Sequence, residues 1–135
     1  MNYPQAARVA LGIFFIVAGT LHFMVPDFYT AIIPSSFPAP AALVALSGVA
    51  EIAGGVGLMM PRVRQAAGVG LVLLLIAVFP ANLEMLRLAR LRNGSGWLEA
   101  VLWLRLPLQV VLIWLVWRLS RPYSLPRGRD ITAGS

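Results

Sequence analysis

The chain contains no cysteine and no lysine, and only 12% of its 135 residues are charged. The missing cysteines exclude thiol–disulfide relays, thiolate metal sites, cysteine-ligated iron–sulfur clusters and covalent haem attachment. The scarcity of charge excludes a different class. An ordinary soluble domain is about 25% charged, and half that leaves too little polar surface to coat a water-soluble globule of this size. A soluble enzyme is therefore ruled out. With 59% hydrophobic residues and a mean hydropathy of +0.81, disorder is ruled out as well. The composition is that of an integral membrane protein.

What charge there is, is lopsided. Eleven arginines face five acids, for a net charge of +6 and a pI near 11.4. In a soluble chain this would suggest nucleic acid. Here most arginines stand at the ends of apolar segments, where they orient helices and meet lipid headgroups. No basic face or nucleic-acid motif accompanies them, so nucleic acid is not an expected partner.

Four apolar segments are legible, at about residues 6–25, 41–60, 66–86 and 97–117. Each approaches the roughly 20 residues that cross a hydrocarbon core of about 30 Å. Backbone groups in lipid must be satisfied within the segment, which makes the segments helices. The expected fold is all-α: one four-helix transmembrane bundle over residues 1–120, with a polar, disordered cytoplasmic tail over 121–135. Trp97 and Trp117 bracket the fourth segment at a spacing that suits an aromatic residue at each interface. Between the first two segments lies a proline-rich outer loop, Pro26 to Pro40, with apolar Phe28, Tyr29, Ile32 and Ile33. It reads as a lid lying on the outer membrane face.

Arginine counts give an orientation. With four crossings, the amino terminus, the 61–65 turn and the carboxyl tail share one side. They carry Arg8, Arg62, Arg64, Arg118, Arg121, Arg127 and Arg129, against Arg87, Arg90 and Arg92 on the other. The positive-inside rule then places both termini in the cytoplasm.

Five polar residues stand where hydropathy penalises them: His22, Glu51, Asn82, Arg105 and Gln109, with Glu84 nearer the surface. An arginine at the bilayer centre costs about 2.5–3.5 kcal/mol on insertion scales, so such residues face the bundle interior and pair. Counting inward at about 1.5 Å per residue puts His22 and Asn82 some 5–6 Å deep, and Arg105 and Glu51 about 12–15 Å deep. All fall in the same half of the membrane, and Gln109 follows Arg105 by one helical turn. Pro80 and Pro107 lie within a turn of Asn82 and Arg105 and can kink their helices. The sum is a polar cavity roofed by the loop, and a Glu51–Arg105 salt bridge is one expected pairing in it. No metal is expected, because His22, Glu51 and Glu84 lack the spacing of a metal motif.

These residues also carry a resemblance. Gly19-Thr20-Leu21-His22-Phe23 ends the first segment, and Ser47-Gly48-Val49-Ala50-Glu51-Ile52 lies in the second. Phe79-Pro80-Ala81-Asn82-Leu83-Glu84-Met85 closes the third, and Leu104-Arg105-Leu106-Pro107-Leu108-Gln109 lies in the fourth. Together with Ile33-Pro34 and Phe37-Pro38, this resembles the DoxX-like family of small bacterial membrane proteins over about residues 10–118. The resemblance implies a four-helix membrane bundle associated with a membrane redox complex and its partner protein. Without cysteines, any redox role must come from a bound cofactor such as a quinone, or from the partner.

Three functional readings follow. In the first, the cavity binds a small amphipathic molecule, quinone- or isoprenoid-like, through His22, Glu51, Asn82, Arg105 and Gln109. In the second, Glu51 and His22 are the catalytic groups of an acid–base enzyme that moves a proton on an apolar substrate, as an isomerase would. In the third, the chain is a structural subunit whose polar residues only fix helix register.

Overall fold

The computed structural model describes residues 3–91 and 96–121. Six helices account for the secondary structure of these residues, and there is no strand among them: α1 Tyr3–Met24, α2 Pro26–Thr30, α3 Pro40–Met59, α4 Arg64–Ala77, α5 Phe79–Leu91 and α6 Gly96–Ser120. The expected tail beyond Arg121, with Arg127 and Arg129, and also Arg92, lie outside the described residues.

Four spans are long and apolar enough to cross a membrane: Pro4–Met24, Pro40–Met59, Arg64–Leu91 and Leu102–Ser120. The chain is an all-α, multi-pass membrane protein. Its surface agrees, since Ile13, Val17, Leu46, Leu73, Ile76, Leu104 and Val110 all point outward. Water would not tolerate so broad an apolar surface on a monomer. The third span comprises α4 and α5, which follow each other with a break at Val78. Pro80 has no N–H to give to the preceding turn. The helix restarts there, with the Ala81 and Asn82 N–H groups both reaching the Val78 carbonyl, at 3.1 and 3.2 Å.

The most intimate packing joins α1 to α3. Gly12 and Gly19 on α1 meet Gly55 and Gly48 on α3 so closely that each backbone fills the space a side chain would need. A methyl at Gly12 would lie 2.7 Å from the Gly55 carbonyl oxygen, and one at Gly19 would lie 2.6 Å from that of Gly48. Both pairs repeat at seven residues, which keeps them on one seam of two antiparallel helices. Helices in lipid gain by such close approach, because small residues let backbones touch. The short Met60–Val63 turn then sets α4 beside α3. The main core lies where α1, α3, α4 and α6 meet: Leu11, Phe15, Leu58, Leu71, Leu75 and Val116. Leu86, Ala89 and Leu102 form a smaller cluster between α5 and α6.

Two helix ends at the pole of the termini are closed by arginines. Arg8 Nε donates to the Leu119 carbonyl at 2.8 Å, and Arg64 Nε donates to that of Leu58 at 3.0 Å. Carbonyls in a last helical turn lack intrahelical donors, and cations there complement the helix dipole. At this pole Arg118 and Arg121 also lie over the rings of Trp114 and Trp117, at 5.2 and 4.4 Å.

Candidate functional site

The two glycine contacts bring α1 and α3 together at the level of His22 and Glu51. His22 is buried, and its Nδ1 lies 3.2 Å from the Val44 carbonyl. A carbonyl can only accept, so Nδ1 carries a proton and donates it there. The other ring nitrogen, Nε2, faces Glu51 Oε1 at 4.0 Å. Ser47 stands 3.2 Å from Nδ1, with its own hydroxyl directed to the Leu43 and Val44 carbonyls. The other carboxylate oxygen, Glu51 Oε2, is buried without a hydrogen-bond partner. An unmatched carboxylate oxygen in an apolar interior is costly, and its persistence in a fold points to a use.

Tyr29 of α2 covers the imidazole, with ring centroids 4.0 Å apart. Burial, reinforced by the Glu51 charge, pushes the Tyr29 phenol above its ordinary value of 10, so it stays protonated at physiological pH. The segment between α1 and α3 thus does lie over His22. It does not roof the polar cavity, as the sequence suggested. Ile33, Pro34 and Phe37 instead wall a separate apolar cavity of about 460 Å³ bounded by α3, α4 and α5.

The polar cavity, about 380 Å³, opens between α1 and α6. Glu51, Asn82, Arg105 and Gln109 line it together with apolar Phe14, Phe15, Leu104 and Leu108. Four of the five expected residues therefore share one wall. The fifth, His22, reaches it only through Glu51.

Asn82 and Gln109 are already engaged. Asn82 Nδ2 donates to Gln109 Oε1 at 2.6 Å, and Gln109 Nε2 donates to the Leu75 carbonyl. Leu75 belongs to the last turn of α4, where carbonyls lose their helical donors. The two amides form a clamp that ties the break in the third span to α6. One of the two Gln109 Nε2 hydrogens is thus held by the Leu75 carbonyl, and an amide nitrogen carries a second.

The expected Glu51–Arg105 salt bridge is absent. Arg105 is exposed, and its Nη1 lies 3.9 Å from Met85 Sδ. It stands near the start of the Leu102–Ser120 span, and a long cationic side chain at that depth extends toward the interface. His22 occupies the place near Glu51 that was assigned to Arg105. Glu84, named beside these residues, pairs with Arg87 at 2.5 Å, and Glu99 pairs with Arg90 at 2.8 Å. The residues missed by sequence reasoning are Ser47 as a neighbour of His22 and Gly12 as a partner of Gly55. The seven-residue spacing shared by Gly12–Gly19 and Gly48–Gly55 was the available signal for the second.

A family model matches residues 11–120, from within α1 to the end of α6. The chain belongs to the family described as Domain of unknown function (DUF8561). Every site residue above falls within the matched region. No curated protein and no solved structure matches this DUF8561 chain.

Proposed function

We propose that this DUF8561 protein binds a small amphipathic molecule, quinone- or isoprenoid-like, in the cleft between α1 and α6. The observation that carries the reading is Glu51, whose side chain lines a largely apolar cavity while its Oε2 is buried without a hydrogen-bond partner. The cavity's volume falls within the roughly 300–1,000 Å³ usual for small-molecule sites. An apolar body entering from the lipid would lie against Phe14, Leu104 and Leu108. Its polar head would meet Glu51 at the inner end and Arg105 near the mouth. Arg105, which has only a thioether neighbour, donates to a ligand oxygen, and Glu51 accepts from a hydroxyl.

The resemblance of four motifs to the DoxX-like family extends this proposal to an accessory role in a membrane redox system, with a quinone as the bound cofactor and a redox protein as partner. The placement is a bacterial inner membrane with both termini cytoplasmic. Supporting that orientation, Arg8, Arg62, Arg64, Arg118 and Arg121 stand at the pole of the termini, against Arg87 and Arg90 at the other, among the described residues.

Native mass spectrometry of the protein extracted with its lipids tests the reading. A retained isoprenoid quinone is expected, and it is lost in the Glu51→Gln, Arg105→Met double variant. An empty wild-type protein, or equal retention by the double variant, overturns the proposal. The facing of His22 Nε2 toward Glu51 favours a second reading, acid–base catalysis on the bound molecule. Turnover of an isoprenoid substrate by the purified protein, lost in His22→Gln, would favour it.

A further inference from the structure

The pole that carries the termini gathers positive charge that nothing in the described fold neutralises. Arg8, Arg62, Arg64, Arg118 and Arg121 stand there. The described acidic residues, Asp27, Glu51, Glu84 and Glu99, lie in α2, in mid-α3 and toward the opposite pole. All three ion pairs among the described residues are formed by those acids.

Two of the five guanidiniums are fixed by the backbone rather than by carboxylates. Arg8 and Arg64 each use Nε on a terminal helix carbonyl, of Leu119 and Leu58. A guanidinium has five N–H donors, so each retains four on its terminal nitrogens, with no described partner. Gly68 packs in direct contact with Ser120, which seats the start of α4 against the end of α6. Arg8, bonded at the end of α6, and Arg64, at the start of α4, therefore stand at the same junction of helices. Two cations at one junction, each fixed by a carbonyl bond, form a ready receptor for an anion with several oxygens. Trp114 and Trp117, stacked with Arg118 and Arg121, mark the height of the cluster as the interfacial one, where indoles sit among headgroups.

We infer that this pole is a binding site for an anionic phospholipid, whose phosphodiester is received between Arg8 and Arg64 and flanked by Arg62, Arg118 and Arg121. The site is separate from the cleft between α1 and α6 and stands whether or not that cleft binds a quinone. It differs from a diffuse attraction to acidic membranes in that selectivity rests on named arginines.

The test uses the full chain with Trp97 and Trp103 replaced by Phe, so that Trp114 and Trp117 report on this pole. The protein is placed in nanodiscs of phosphatidylcholine containing a minor fraction of brominated phosphatidylglycerol, and separately with brominated phosphatidylcholine as the minor lipid. Brominated phosphatidylglycerol is expected to quench preferentially. The preference should fall about fivefold for each arginine removed, in Arg8→Gln and in Arg64→Gln, and should be unchanged in Arg87→Gln. Because Arg8 and Arg64 also close helix ends, thermal melts accompany them. The Arg62→Gln, Arg121→Gln pair, which touches no helix carbonyl, provides a second measurement on a folded protein. Equal quenching by the two lipids overturns the inference, as does a preference that survives in every variant. Quenching abolished by inorganic phosphate but not by chloride of equal ionic strength also overturns it, since that marks a site for a soluble anion.

Discussion

His22 and Glu51 face each other across 4.0 Å, with the imidazole anchored on the Val44 carbonyl and the far oxygen of the carboxylate left without a partner. The gap is too long for a direct hydrogen bond. A carboxylate placed this way strains the fold rather than supporting it.

Replacing Glu51 by Gln should therefore leave the melting temperature unchanged or raise it, because removing a poorly compensated buried carboxylate is neutral or stabilising. Ligand retention should fall at the same time. A thermal melt in detergent checks this. A loss of about 3 kcal/mol, as expected on breaking a structural buried pair, would instead assign Glu51 to the architecture.

Arg105→Met should change stability by less than about 0.5 kcal/mol, as for surface substitutions that break no interaction. Its effect on stability should add to that of Glu51→Gln, since no bridge joins the two side chains. Their effects on ligand retention should not add, because both touch the same bound molecule. A double-mutant cycle read by melting and by mass spectrometry separates the two.

The amide clamp should be worth more. Gln109→Leu leaves the Leu75 carbonyl and the Asn82 amide buried and unmatched, at a cost of about 1–3 kcal/mol. Asn82→Leu, which spares the Leu75 contact, should cost less, and the double variant should show coupling of about 0.5–3 kcal/mol. Equal, fully additive losses would mean that the two amides do not act together.

The α1–α3 seam predicts a sharp contrast among glycines. Gly55→Ala places a methyl 2.5 Å from the Gly12 carbonyl oxygen. It should destabilise by about 1–3 kcal/mol through overpacking. Gly70→Ala meets nothing within 4 Å and should be neutral or gain up to about 1 kcal/mol from helix propensity. Parallel melts of the two variants decide it.

The spans were legible because length and hydropathy alone decide what can cross lipid. So was the convergence of Glu51, Asn82 and Gln109, since lipid penalises each of them anywhere but toward the interior. Pairing was not legible. Glu51 and Arg105 had matching depths and opposite charges, but depth along a helix says nothing of where a long side chain ends, and Arg105 turns outward. His22 was judged the shallower group, yet the glycine seam brings it against Glu51. The clamp was hidden for another reason: the partner of Gln109 is a backbone carbonyl released by the break at Val78, and no residue type announces a carbonyl.

The glycine seam also bears on how the chain assembles. α1 and α3 are successive spans as the chain is synthesised, and domains form from the amino terminus onward during synthesis. They can lock together before the later spans have entered the bilayer. α6 enters last, and it is fastened to the broken third span through Gln109 and to α1 through the Arg8–Leu119 contact. The cleft that leads to Glu51 therefore takes shape only when the final span has docked.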